Sequence, residues 1–270
     1  MKPLISIITI TYDDGPGLKN TLNSLKPLNE NSSLKWENII VDSSPEINSH
    51  VLKDFSGWPL VRIETPPRGI YTAQNLGLEH AQGEYLWFLN GGDRMVSARN
   101  LVALLEQFSK ESWLDLICAP VELYRNDKFI YNSQVKKNFI SNLIGQNNLC
   151  HQGILYKKSV FNRVGLYDEN YKLAADYDHL FRCYLKKMKM GVFNTPIARY
   201  DRGGRSDQFQ SVFREYRKIW KKLGPQLGRE ISFQNTLFGG AYFLRTQVMK
   251  SRLLSPISGP LKEIWYKAHR

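Results

Sequence analysis

The sequence predicts an α/β protein built on a mostly parallel sheet, and three observations carry that prediction. Between residues 3 and 95, apolar runs of strand length alternate with helix-period segments four times, the pattern of strand–helix repeats. The stretch EYLWFLNGGDRM, residues 84–95, sets five apolar residues in a row before Asn90-Gly91-Gly92-Asp93, as a buried parallel strand would. Three polar features, Thr11-Tyr12-Asp13, Asp42 and Asp93, close predicted strands, and ligands of such sheets bind outside the carboxyl ends of the strands.

Each element has a local reason. Residues 3–12 read as a first strand rich in Ile and Thr; polar Ser6, Thr9 and Thr11 interrupt it and no small-residue cleavage site follows, so it is not a signal peptide. Asp13-Asp14-Gly15-Pro16-Gly17 breaks it before a helical stretch at 18–25. Trp36–Asp42 is a second strand, and Ser43-Ser44-Pro45 opens another helix. A short third strand at 60–64 leads into the loop Pro66-Pro67-Arg68-Gly69. Residues 70–81 fit a helix, with Ala73, Leu76, Gly77 and His80 three and four apart, and Gly83 closes it before the fourth strand. Beyond Ala98 the pattern loosens: 101–108 reads as helix, 114–123 as extended, 128–144 as mixed, and 150–156 as a strand with a polar start. A helix opens at Ala174-Ala175-Asp176, with Asp176 and Asp178 in its first turn, where the helix dipole favours negative charge. Residues 192–200 read as extended, and Asp201 to Ser206 as a loop.

At 270 residues the chain suits one main domain with an appendage. No apolar run approaches the roughly 20 residues that span a bilayer. Three scattered cysteines, Cys118, Cys150 and Cys183, form no CxxC pair and read as reduced thiols of a cytosolic protein. The formal charge of +12 is unevenly spread: residues 206–270 carry twelve Lys and Arg against four Asp and Glu. A basic tail of this kind seeks an anionic surface.

No GxGxxG follows the first strand, and GxxxxGK[ST], HExxH and GxSxG are absent, so the dinucleotide, P-loop, zinc and serine-hydrolase patterns lack support. Carboxylates with glycines remain. Asp42 could accept hydrogen bonds from a base or ribose, or could cap the Ser43-Ser44-Pro45 turn. Asp93, after two glycines that let a ligand approach the backbone, suits an oxygen-seeking cation, Mg²⁺ or Mn²⁺, bridging to phosphates; its plainer role is that of a turn residue. Asp178 lies about 200° around the helix from Asp176, so the two cannot face one acceptor oxygen, and Asp178 is read as structural.

The set SIITITYDD, IIVDSS, PRGIYTAQNLGLEHAQGEYLWFLNGGD, HQGILY, AADYDHLFR and GGRS, in this order, resembles the family 2 glycosyltransferases of the GT-A fold. It looks most like bacterial colanic-acid-type exopolysaccharide and lipopolysaccharide transferases, over about residues 3–206. The resemblance implies a Rossmann-like GT-A domain at 1–206 and leaves 207–270 as a basic amphipathic helical extension. It implies that Thr11, Tyr12 and Asp13 border the nucleotide base, that Asp42 contacts base or ribose, that Arg68 lies beside the nucleotide and that Asn75 shapes the pocket near the sugar. Asn90 to Asp93 stands in the place of the family's DxD metal motif, with Asn90, Gly91 and Gly92 on the nucleotide-sugar and only Asp93 charged for a metal. Asp176 matches the catalytic base of an inverting displacement. His151 and Gln152 fall on the acceptor or diphosphate side, and Arg202, Arg205 and Ser206 on a loop that closes over the donor. The implied partners are a UDP-, GDP- or TDP-sugar and a lipid-linked oligosaccharide acceptor, with no nucleic acid. The implied place is the cytoplasm, with peripheral attachment to the anionic inner face of the membrane.

The apolar face of Val212, Phe213, Tyr216, Ile219, Trp220 and Leu223 has two readings: packing against the catalytic domain, or membrane attachment alongside the basic and aromatic residues farther on. A sugar-nucleotide-binding protein without transfer activity is the alternative function. It explains Asp42 and the thinned metal motif, but not the retained Asp176.

Overall fold

The computed structural model describes residues 3–30, 34–144, 149–201 and 209–227. The first strand, β1 (Ile5–Thr11), is followed by α1 (Gly15–Glu30), β2 (Trp36–Asp42), α2 (Pro45–Lys53), β3 (Leu60–Glu64), α3 (Ile70–His80) and β4 (Tyr85–Phe88). Helix α1 begins three residues before the expected stretch, because the Asp14 carboxylate accepts from the Gly17 N–H at 2.8 Å and caps the first turn. Then come β5 (Arg94–Met95), α4 (Ala98–Lys110), β6 (Leu116–Cys118), β7 (Val121–Arg125), β8 (Lys128–Asn132) and α5 (Phe139–Ile144). A single 3₁₀ turn (His151–Gly153) precedes β9 (Ile154–Lys157), α6 (Lys158–Val164), α7 (Ala175–Leu185), β10 (Met190–Val192), β11 (Ala198–Asp201) and α8 (Phe209–Leu223).

Among the described residues the main sheet has seven strands in the order β10-β6-β9-β4-β1-β2-β3. Only β9 runs against its neighbours, β4 and β6; the other pairings are parallel. A smaller sheet, β5-β11-β7-β8, stands beside it. The extended stretch expected at 114–123 is split at Ala119-Pro120, which sends β6 to the large sheet and β7 to the small one. Proline has no N–H for a ladder, so the chain changes partner there. His151 and Gln152, expected to begin a strand, sit instead on the 3₁₀ turn before β9.

β1 is buried on both faces. Ile5 and Ile7 pack into a core with Leu25 and Leu28 of α1 and Leu101, Leu104 and Phe108 of α4, while Ile8 faces Gly77 of α3 on the other side. Its buried Ser6 and Thr9 are paired internally. Thr9 Oγ1 donates to the Leu89 carbonyl at 2.9 Å and accepts from Asn38 Nδ2 at 2.9 Å, and Ser6 bonds the buried Glu37 carboxylate and the Gly83 N–H. Cys118, Cys150 and Cys183 form no disulfide. Chain contacts divide the molecule into two units, Met1–Ile219 and Trp220–Arg270, and only 220–227 of the second are described. The boundary expected after residue 206 lies outside the described residues.

α3 packs on the sheet through Gly77, where an added Cβ would stand 2.5 Å from Ile8 Cγ2 and 3.4 Å from Val41 Cγ2. Helix propensity favours Ala over Gly by about 1 kcal/mol, but pushing a methyl into a fully buried β-branched side chain costs about 1–3 kcal/mol. Gly77→Ala should therefore destabilise the protein, read as a lower midpoint in urea; a raised midpoint would mean that the packing yields freely.

Candidate functional site at the switch point of the sheet

From β1 the chain proceeds outward through β2 and β3 on one side and returns to place β4 on the other. The carboxyl ends of β1 and β4 thus flank the topological switch point, where such sheets leave a crevice. Thr11 pairs in register with Asp42 across β1 and β2. β1 reaches the turn after β4 through Gly91 N–H, which donates to the Ile10 carbonyl at 2.9 Å.

That turn, Asn90 to Asp93, is held from beneath by α1. The Thr21 hydroxyl, fully buried, donates to the Asp93 carbonyl at 2.7 Å and accepts from the Gly92 N–H at 3.0 Å. The glycines have separate causes. A Cβ on Gly91 would stand 3.3 Å from the Ile10 carbonyl oxygen, and Gly92 has φ +95°, a left-handed value that L side chains resist. The Asp93 carboxylate is buried and accepts from Gln152 Nε2 at 3.2 and 3.1 Å and from the Asn90 N–H at 3.2 Å. Burial outweighs those bonds and raises its pKa to about 7.

The turn is joined to Asp176. Gln74 Nε2 of α3 lies 3.2 Å from Asn90 Oδ1, Asn90 Nδ2 lies 3.1 Å from His151 Nε2, and His151 Nδ1 lies 3.7 Å from Asp176 Oδ2. Burial lowers the His151 pKa, against the opposing pull of Asp176. Asp176 stands in the first turn of α7; its Oδ1 accepts from the Tyr71 hydroxyl and the Tyr177 N–H, both at 2.9 Å. Asp178 is fully buried and bonded to Arg182 Nε at 2.7 Å, which agrees with a structural role.

The loop that carries Asp176 is clamped at three places. Asn75 accepts from the Tyr167 N–H and donates to the Tyr167 carbonyl, both at 3.0 Å. The Glu169 carboxylate accepts from Thr72 Oγ1 at 2.7 Å and Asn75 Nδ2 at 3.0 Å, and Glu215 of α8 accepts from the N–H groups of Lys172 at 2.8 Å and Leu173 at 2.9 Å. Asn75 thus shapes the site through the backbone it holds.

Asp42 is where the geometry departs most from expectation. Its carboxylate is fully buried and accepts four bonds: Ser44 N–H at 2.9 Å, Asn48 Nδ2 at 2.7 Å, and Arg62 Nε and Nη2 at 3.0 and 2.7 Å. A base or ribose could reach it only by displacing one of these donors. Thr11 Oγ1, by contrast, is buried with no hydrogen-bond partner, Tyr12 is 52% exposed beside it, and Asp13 has φ +51° with its N–H on Ser44 Oγ. Arg68 is exposed on the loop before α3. Arg202, Arg205 and Ser206 lie outside the described residues.

Thr21, Arg62, Tyr71, Gln74, Glu169 and Glu215 were not anticipated. Tyr71, Gln74 and Asn75 had a signal, since spacings of three and four put them on one helical face. Among the described residues no three His, Cys, Asp or Glu side chains gather to hold a metal ion. Asp93 is a lone carboxylate there, so a cation at this turn would have to bring its other ligands with it.

The glycosyl transferase family 2 model matches residues 6–165. The chain belongs to that family. This family 2 glycosyltransferase is 27% identical over 199 residues to a glycosyltransferase of Mycobacterium tuberculosis (strain CDC 1551 / Oshkosh), covering 68% of this chain and 70% of the relative. It is 26% identical over 186 residues to the PGL/p-HBAD biosynthesis glycosyltransferase of Mycobacterium bovis (strain BCG / Pasteur 1173P2), covering 67% and 70%. Among solved structures it resembles residues 1–349 of Staphylococcus aureus TarS in complex with UDP-GlcNAc, with TM-score 0.66, 17% identity and coverage of 94% and 74%. It also resembles the mannosyltransferase PcManGT from Pyrobaculum calidifontis in complex with GDP-Man and Mn²⁺, with TM-score 0.62, 13% identity and coverage of 99% and 83%. The enzyme is a glycosyltransferase with the expected α/β fold. The family match stops at 165, so Asp176, Glu169 and Glu215 lie beyond it, while Tyr71, Thr72 and Asn75 lie within it.

The folded-state pKa of Asp93 lies above the unfolded value of about 4. Its stabilising contribution is therefore fully present below about pH 4 and is lost as pH rises through about 7. The cation-free protein should lose stability across that window in urea titrations at stepped pH, and Asp93→Asn should flatten the slope; an unchanged slope would contradict a protonated, buried Asp93.

Proposed function

We propose that this glycosyltransferase inverts the anomeric centre as it moves a sugar from a nucleoside-diphosphate donor to a hydroxyl of a lipid-linked oligosaccharide in surface polysaccharide synthesis. The observation that carries the reading is the state of Asp176. One oxygen is fixed by Tyr71 and Tyr177, the other faces His151, and the side chain is 23% exposed, so it can meet an incoming hydroxyl.

The donor's place follows from the strand ends. Tyr12 offers an exposed ring for a base to stack on, Thr11 an unpaired hydroxyl, and Gly91 and Gly92 a bare backbone beside the diphosphate. Asp93 would hold Mg²⁺ or Mn²⁺. A bound cation neutralises charge on the leaving diphosphate. Asp176 takes the proton of the acceptor hydroxyl as its oxygen bonds to the anomeric carbon and the bond to the diphosphate breaks. One such displacement needs no second carboxylate, because the diphosphate is already a good leaving group. The solved relatives with UDP-GlcNAc and with GDP-Man and Mn²⁺ support a nucleotide-sugar donor here.

Attachment to an anionic membrane is supported by α8, where Arg214, Arg217 and Lys218 are exposed while Ile219 is buried. Among the described residues no helix is long and apolar enough to cross a membrane. The enzyme should sediment with vesicles containing anionic lipid at low salt and be released at high salt, because exposed charge is screened over about 10 Å at 0.1 M; salt-insensitive sedimentation would contradict electrostatic attachment.

Asp176→Asn should lower kcat by about 10²–10⁴-fold while leaving donor binding intact. Transfer at the wild-type rate would remove the base assignment and leave a nucleotide-sugar binder as the better reading.

A further inference from the structure

The contacts that run from α3 through Asn90 and His151 to Asp176 have a direction, and Asp176 sets it. An ionised carboxylate only accepts hydrogen bonds. His151 Nδ1 faces Asp176 Oδ2 at 3.7 Å, so a bare Nδ1 would set a lone pair against a negative oxygen. The proton therefore belongs on Nδ1. Desolvation pulls the His151 pKa down, toward the neutral ring that carries one proton, and in that ring Nε2 is the acceptor. Its partner at 3.1 Å is the Asn90 amide, which must then present its nitrogen to the ring and its oxygen to Gln74 at 3.2 Å. Gln74 in turn must present nitrogen. Every orientation in the row follows from the charge at its end.

We infer that Gln74, Asn90 and His151 form an oriented relay that positions the base, with His151 acting on transfer through Asp176 as its Nδ1–H tautomer. This rests on the reading of Asp176 as the base. The relay does two things there. The two oxygens become unequal: Oδ1 is filled by Tyr71 and Tyr177, and Oδ2, steered by the imidazole N–H, is the oxygen left for the acceptor proton. The relay also joins the base to the turn that would carry the donor diphosphate, because Asn90 belongs to both. A ligand that reorients the Asn90 amide would reorient the ring, so the base is fully set only when the donor side is properly arranged.

The test uses the full-length enzyme with the donor that binds it. Long-range ¹H–¹⁵N correlation on histidine-labelled protein reads the tautomer directly, without any substitution that could unfold the chain. The wild type should show His151 as Nδ1–H, and Asn90→Ala should release it into a mixture. An Nε2–H ring in the wild type overturns the relay.

Kinetics supply the second arm. Among the described residues, the titratable groups facing Asp176 are Tyr71 from α3, Tyr156 from β9, Tyr167 from the loop before α7, and His151. The three tyrosines have pKa values pushed well up, so they stay neutral. Losing the His151 N–H takes a favourable dipole away from the ionised Asp176 carboxylate beside it. His151→Ala should lower kcat roughly ten- to hundredfold, leave the donor KM within about threefold, and move the acid limb of the kcat profile to higher pH. A merely structural histidine would not move that limb. An unmoved limb in His151→Ala, with Asp176→Asn inactive, rejects the relay and keeps the base; full activity in Asp176→Asn rejects the reading beneath both.

Discussion

The site depends on one hydroxyl. Thr21, buried in the second turn of α1, joins the Gly92 N–H to the Asp93 carbonyl and so closes the turn at the end of β4. Without that bridge the buried Asp93 carbonyl would lose its hydroxyl partner, a cost of about 1–3 kcal/mol, and the turn would be left to the bonds between Asn90 and Asp93 and from Gly91 to Ile10. The turn so held presents the bare backbone at Gly91, the amide of Asn90 and the single carboxylate of Asp93 to the crevice. The apolar run of β4 delivers the turn to the switch point, and Thr21 fixes it there.

The second half of the site is built differently. Asp176 begins a helix, but its position is set by the loop before it, and that loop is tied to α3 by Asn75, Thr72 and Tyr71 and to α8 by Glu215. The Asn90–Asp93 turn and the Asp176 loop therefore share α3 as a common support: Gln74 reaches the first, Tyr71 and Asn75 the second. A helix with side chains three and four residues apart on one face can hold both at once. This arrangement explains why α3 carries buried amides, which would otherwise burden a helix packed on a sheet.

The first four strands were legible because each is an apolar run bounded by turn residues, and β2 and β3 matched their expected limits. The split at Ala119-Pro120, the 3₁₀ turn of His151 and the reversed direction of β9 were not legible, because they are decided by which sheet each segment joins. Asp42 shows the same limit in chemistry. A strand-end aspartate reads as a ligand group, yet register places Arg62 two positions from its direct partner on β3, and the guanidinium closes on it. Asp93 differs by its neighbours: it meets an amide, Gln152, and, among the described residues, no cation. Local sequence names the carboxylates at the strand ends; only their tertiary neighbours tell that Asp42 is paired with a guanidinium and Asp93 with an amide.

The central claim is that the switch-point crevice receives a sugar nucleotide through its diphosphate. A thermal-shift panel of UDP-, GDP- and TDP-sugars, each with and without Mn²⁺, tests it most directly, because a ligand of the folded state must raise apparent stability by mass action. The account predicts a shift with one nucleotide class that grows with the cation and is lost in Asp93→Asn. No shift with any of them, at concentrations well above plausible affinity, would contradict it.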